Sequence, residues 1–322
     1  MITIIILTYN SNTRLVIQQA KYYEQFVDVR LIILDAGESN LCSFLRYHNV
    51  YYLHCPGAPL FQRLKLASEL IADGDIVISL NDDEFYLYTA LRQAAAILHS
   101  SQDSFVSGIP YTFFKYRDRL ILQEWQPPFA SHREFSNNMP SPINRVKELA
   151  ASYLPVYYHS LMHGSAWKLI HSLSMDLRYA HEDYGYVKEL HTCLMAAISG
   201  KHKLLQLPML LRNADPPKSC TSWHSFFFSS QYRLKSLLLT KETLRLSGKI
   251  CQEKDLKRTI IEYYIHMAEM SRLLEADNSF YLRYCTSIMP ITIFKDYQLQ
   301  LSNKVWLDTE TMKDLMLILD SL

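Results

Sequence analysis

The chain has 322 residues, of which 49% are hydrophobic and 20% charged, with a formal net charge of +1. These values describe a globular chain long enough for a full core, and the near-neutral charge gives no reason to expect nucleic acid or a strongly acidic partner. The six cysteines, Cys42, Cys55, Cys193, Cys220, Cys251 and Cys285, have neither CxxC pairs nor framework spacing; this argues against a zinc site and a disulfide scaffold and fits a reducing compartment.

The first apolar run starts at Ile2, with no basic n-region, long apolar core or cleavage site ahead of it. No apolar run reaches the length of a membrane span. A soluble cytoplasmic protein is expected. Ile2–Leu7, Val29–Leu34, Val50–Leu53 and Asp75–Leu80 are short runs rich in β-branched residues and read as buried strands. Between them, Thr13–Phe26 and Leu60–Ala72 carry apolar residues at helical spacing. Repeated βα units with fully apolar strands predict a parallel sheet covered by helices, an α/β fold. Asn12-Thr13 offers a cap for the first helix, and Asp73-Gly74 closes the second.

A helix is predicted over Tyr88–His99. Phe105–Phe114 and Arg119–Glu124 then read as a hairpin, and Trp125–Asn144 as a long loop. Ser165–Ser172 and Asp183–Ser199 read as helices and His202–Leu207 as a closing strand. Beyond Pro216-Pro217 the strand signal fades, and Phe226–Leu239, Lys254–Leu274 and Glu310–Leu319 are amphipathic helices. The expected division is therefore 1–215 and a helical C-terminal subdomain, 216–322.

Asn81-Asp82-Asp83-Glu84 directly follows the fourth strand. Open α/β sheets bind ligands just beyond the carboxyl ends of their strands. Three carboxylates crowded there repel one another unless a cation sits among them, and a hard divalent ion with oxygen ligands is the natural occupant. The other reading of the same four residues is a solvated acidic turn. In extended chain, alternate residues share a face, so Asn81 would pair with Asp83, or Asp82 with Glu84.

Four features in this order, Thr8-Tyr9-Asn10 after the first strand, Asp35 at the end of the second, the acidic stretch after the fourth, and His181-Glu182-Asp183 opening a later helix, resemble the GT-A fold of nucleotide-sugar-dependent glycosyltransferases, especially the family 2 type. The resemblance covers about Met1 to Arg212. It implies a mainly parallel Rossmann-like sheet and transfer of a sugar, with inversion, from a nucleoside diphosphate to a hydroxyl of a glycan, lipid-linked glycan or other acceptor. It places Thr8, Tyr9 and Asn10 against the nucleotide. Asp35 stands where the family's DDGS aspartate accepts a base N–H, as uracil would offer, which favours a UDP-sugar. Ala36 replaces the second aspartate of that motif.

Lys65 takes the position of a basic residue that the family keeps near the nucleotide, with Arg63 close by. Asp82, Asp83 and Glu84 fall on the family's DxD motif in one register, and Asn81, Asp82 and Asp83 in the other. The resemblance thus implies Mn²⁺ or Mg²⁺ held chiefly by Asp83, with Asp82 and Glu84. The segment His163–Lys168 matches a glycine-led stretch ahead of the acceptor pocket, and Asp183 would be the catalytic base, with Glu182 second and His181 assisting. A helix N-terminus favours the ionised form of such a base. Arg212, with Lys218 and His224, could close over the diphosphate. The stretch Trp223–Phe228 reads either as a helix packing face or as a membrane-surface contact beside a lipid-linked acceptor, peripheral to the inner face of the membrane.

Two other readings share this architecture. Nucleotidyltransferases that make nucleotide sugars usually need a glycine-rich loop after the first strand, and Thr8–Asn12 has no glycine. A degenerate GT-A scaffold that binds a sugar nucleotide or a protein partner without turnover would fit the Asn81 register.

Overall fold

Strong β-propensity in Ile2–Thr8 makes this strand, β1, the axis of the sheet. In the computed structural model, which describes residues 1–8, 13–116, 119–124, 137–151, 157–172, 175, 185–213, 241–245, 247, 255–276, 291–294, 299–300 and 308–322, β1 pairs in parallel with β2 (Val29–Asp35) and β4 (Ile76–Leu80). β3 (Val50–His54) extends the parallel half outward from β2. Helices α1 (Thr13–Tyr23) and α2 (Leu60–Leu70) provide crossovers, and α3 (Tyr88–Ser100) follows the acidic stretch.

The pleat sends successive side chains to opposite faces, and two cores result. Ile4, Ile6, Leu31, Ile33, Ile76 and Ile78 belong to one. Ile5, Ile32, Leu34 and Val77 belong to the other. Strands buried on both faces in this way need helices on both sides, which is why they read as unbroken apolar runs.

The second half of the sheet is mixed. β6 (Phe105–Tyr116) and β7 (Arg119–Glu124) form the expected hairpin. β8 (Leu161–His163) runs antiparallel to both β4 and β6 and joins the halves. β9 (His202–Asn213) lies parallel to β6 and antiparallel to β5 (Glu84–Tyr86), so it brings Arg212 opposite Glu84. The expected closing strand is thus longer at its far end than Leu207. α4 (Pro142–Ala151) starts inside the stretch expected to be loop, with proline at its first position, where the missing N–H costs nothing; residues 125–136 lie outside the described residues.

α5 (Gly164–Ile170) begins where the backbone closes against the α2–β4 connection. A Cβ on Gly164 would lie 2.1 Å from the Ala72 carbonyl oxygen, so only glycine fits there. α6 (Gly185–Ser199) covers the second core together with α2, α4 and α5. The expected boundary at Pro216 and the expected helix Phe226–Leu239 fall outside the described residues. Of the other two C-terminal helices, α7 (Leu256–Ala276) places Leu256, Ile260 and Tyr263 in the second core. α8 (Thr309–Ser321) places Leu315, Met316 and Ile318 in the first. Two short strands are present there as well: β10 (Ile291–Phe294) adds to β7, and β11 (Leu299–Gln300) to β10. No described helix is long and apolar enough to cross a membrane.

Candidate active site

Parallel register sets Thr8 beside Asp35 and Asp35 beside His54, so the last residues of β1, β2 and β3 stand in a row. The acidic stretch leaves β4 next to β1, and the Thr8 hydroxyl donates to an Asp82 carboxylate oxygen at 3.0 Å. Adjacent strands are ~4.8 Å apart, so the row spans about 14 Å from the acidic stretch to the edge strand. Arg63, buried on α2, closes it from beneath: its guanidinium donates to the Thr8 carbonyl at 2.8 Å. Lys65, expected to be the nucleotide cation of this helix, is exposed. It lies two residues on from Arg63, about 200° around the helix.

The acidic stretch is a turn leading into β5, not extended chain, so the alternating pairs expected of it do not form. Asn81 and Glu84 close the turn: Glu84 N–H donates to the Asn81 carbonyl at 3.3 Å, and Asn81 N–H lies 3.4 Å from Glu84 Oε2. Gln19, fully buried on α1, donates its amide N–H groups to the Asn81 and Glu84 carbonyls at 2.8 and 2.6 Å. Asn213 N–H donates to the Asp83 carbonyl at 3.0 Å and ties the turn to β9.

Glu84 is fully buried and faces inward. Its Oε1 lies 3.7 Å from Arg212 Nε and its Oε2 3.9 Å from His159 Nδ1. Burial raises the Glu84 carboxyl above its ordinary range, and the Arg212 charge opposes that shift. Asp83 is pushed up to about 6 by burial and then by the Glu84 charge. His159 is pushed down to about 3 by burial, with Arg212 acting in the same direction. Among the described residues no three His, Cys, Asp or Glu side chains come together as metal ligands. A divalent cation at this turn would therefore take most of its shell from ligand and water, a usual habit of Mg²⁺. Glu84, expected as a third ligand, is engaged by Arg212 and by the turn itself.

At the other end of the row, Asp35 is 2% exposed. Gly37 N–H donates to its Oδ1 and the Tyr52 hydroxyl to its Oδ2, both at 2.8 Å. Tyr52 in turn accepts from Leu41 N–H at 2.9 Å, and burial raises its hydroxyl well above the ordinary range. His54 Nε2 lies 2.8 Å from the Gly37 carbonyl, so the ring carries its proton there.

Of the expected site residues, the structure thus brings together Thr8, Asp35, Arg63, Asn81, Asp82, Asp83, Glu84 and Arg212. Arg212 sits on β9 beside Glu84. Tyr9, Asn10, His181, Glu182 and Asp183 lie outside the described residues, as do Lys218 and His224; α6 begins two residues beyond Asp183. Gln19, Tyr52, His54 and His159 join the site without having been foreseen. Gln19 carried a signal, a polar residue on the apolar stripe of Val16, Ala20 and Tyr23, and Tyr52 with His54 share one face of β3. His159 carried none.

Neither a family model nor a curated protein matches the chain. Among solved structures, S. aureus TarS 1-349 is 14% identical, with a TM-score of 0.54 over 88% of this chain and 74% of the other. The same TarS 1-349 in complex with UDP-GlcNAc is 14% identical, with a TM-score of 0.56 over 88% and 75%. A longer S. aureus TarS structure is 12% identical, with a TM-score of 0.51 over 82% of this chain and 42% of the other. The chain shares their fold, the GT-A architecture expected from its sequence.

Proposed function

We propose that the protein is a glycosyltransferase that moves a sugar from a nucleoside diphosphate, a UDP-sugar foremost, to a hydroxyl of a glycan, lipid-linked glycan or other acceptor. The observation that carries this reading is the row Asp82–Thr8–Asp35–His54 along the carboxyl edge of β4, β1, β2 and β3. It lies where open α/β sheets bind nucleotides, in a fold shared with a protein solved with UDP-GlcNAc.

In this reading the nucleoside lies over Thr8 and Asp35, with Tyr9 and Asn10 against it, and the diphosphate lies at the acidic turn. Mn²⁺ or Mg²⁺ held by Asp82 and Asp83 would neutralise charge on the departing diphosphate. Arg63 fixes the Thr8 backbone, and Arg212, opposite Glu84 on β9, would steady the diphosphate, with Lys65 the further cation that the resemblance offers. Asp183 takes the proton of the acceptor hydroxyl as that oxygen bonds to the anomeric carbon, the bond to the diphosphate breaks, and the configuration inverts. Glu182 stands second for the role of base, and His181 assists or binds the acceptor.

A thermal-shift panel of UDP, GDP, CDP and CMP, each with and without Mn²⁺, tests the reading. A nucleotide at a hundred times its dissociation constant stabilises a fold by about 2.7 kcal/mol, which is easily seen. A shift with one nucleoside diphosphate that needs metal is expected. Metal-independent stabilisation by CMP, or silence across the panel, would overturn it. Asp183→Asn should keep donor binding and lose transfer; loss of both removes Asp183 from the role of base.

A further inference from the structure

The two ends of the polar row differ in construction. The acidic end is a turn whose carbonyls are held by Gln19 and by β9, whereas at the other end a single carboxylate is clamped between a backbone N–H and one side chain from the edge strand. A carboxylate offers about four lone-pair positions. At Asp35 one on each oxygen is filled, by Gly37 N–H and by the Tyr52 hydroxyl. Those two bonds fix the rotamer of the side chain. The surrounding backbone is tied down too. His54 holds the Gly37 carbonyl, Cys55 N–H donates to the Asp35 carbonyl at 2.7 Å, and Gly57 N–H donates to the Ala36 carbonyl at 3.0 Å. Gly57 has a φ of 69°, a conformation glycine adopts without strain, and this lets the β3–α2 turn reach back to Ala36.

We infer that Tyr52 is a positioning residue that presents Asp35 as a fixed acceptor and thereby sets which nucleobase the donor site takes. This rests on the reading of the row as a nucleotide site. Among the described residues Asp35 keeps an acceptor position without a partner, and a donor on the ligand would fill it. Uracil and guanine present a ring N–H beside a carbonyl; cytosine has its donor on the exocyclic amine instead, and at a carboxylate fixed opposite the ring position its ring nitrogen, an acceptor, would face that carboxylate with no proton between them. A site built to receive an N–H rejects a ligand that lacks it far better than an apolar site rejects a slightly different shape. The site therefore takes a nucleotide with a ring N–H, and Tyr52 makes that choice sharp without touching the ligand.

The experiment is a calorimetric titration of the full chain with UDP, GDP and CDP at fixed Mn²⁺, for the wild type, Tyr52→Phe, Asp35→Asn and the double variant. Wild type should bind UDP or GDP at least about tenfold tighter than CDP, the worth of one well-placed hydrogen bond. Tyr52→Phe keeps the ring and should bring that ratio towards one. Asp35→Asn should do the same, and adding Tyr52→Phe to it should change the ratio no further, because two residues that act through one contact are not additive. A wild-type ratio preserved in Tyr52→Phe, or additive losses in the double variant, overturns the role of Tyr52 alone. A wild type that binds none of the three overturns the nucleotide reading, and this inference with it.

Discussion

Arg63 and Lys65 show how two cations on one helix come to have different roles. On α2, Arg63 shares its face with the buried Leu64 and Ala67, and its charge ends on the Thr8 carbonyl, with the Leu34 carbonyl 3.5 Å away. Lys65 points to solvent. Hydrogen bonds from a charged group are worth about 1.5–3 kcal/mol, and removing the donor leaves buried carbonyls without it. Arg63→Met should therefore lower the unfolding free energy by about 2–3 kcal/mol in urea titrations. Lys65→Met should stay within about 0.5 kcal/mol of wild type, as exposed substitutions usually do. Equal losses in the two variants would refute the division of labour. Position counted along a motif favoured Lys65, while the face of the helix selects Arg63.

At the level of elements, α3 lacks a cap of its own: Leu87 stands at its N-cap position and provides no side-chain bond. The acceptor comes from α8, where Asp314 receives Thr89 N–H at 2.6 Å across 225 positions of sequence. Asp314→Ala should lower stability by about 1–2 kcal/mol in thermal or urea unfolding, the worth of a lost cap. Asp314→Asn, which keeps an acceptor oxygen, should retain most of it; an equal loss in both would mean that the charge matters and the cap does not. The same distance in sequence explains which parts of the structure could be read in advance. β1 to β4 and α1 to α3 carry their own periodicity, so they were visible, and strand ends then marked Thr8, Asp35, Asp82 and Asp83. β5, β8 and β10 span only three or four residues. Their existence depends on the strands they pair with, not on any local pattern. Tyr52 and His54 belong to the site because of the register between β2 and β3, and the inward turn of Glu84 depends on β9 bringing Arg212 opposite.

Across the whole molecule, burial disfavours the charged forms of titratable groups of opposite kinds, and their effects on stability run against each other with pH. His159 and His191 are pushed down to about 3, and His171 to about 4, each chiefly by burial. The unfolded chain binds these protons below about pH 6.5 while the folded chain does not, so each histidine makes stability fall as pH drops from 6.5 towards 4 and below. Asp83 behaves in the reverse sense. Its carboxyl is pushed up to about 6, so the folded chain binds the proton first, and stability is regained between about pH 6 and 4. Glu84 and Asp314, also raised by burial, act with Asp83. Below about pH 4 the unfolded carboxylates are protonated as well and their relief is spent, which leaves the histidine loss unopposed. Wild type should therefore hold its stability through mild acid better than its histidines alone allow, and then unfold steeply below pH 4. Single variants separate the two sides by slope, whatever their offset at pH 7. His191→Gln removes one histidine, fully buried and bonded to Thr243 Oγ1 at 3.0 Å. Between pH 7 and 4 it should lose about 3 kcal/mol less than wild type. Asp83→Asn should lose about 2 kcal/mol more over the same interval, because its relief on protonation is gone. Urea unfolding at half-unit steps of pH reads both slopes. Curves parallel to wild type would mean that these groups are solvated in the folded chain, and that the acidic turn is not the buried, carboxylate-crowded site from which the cation and nucleotide readings start.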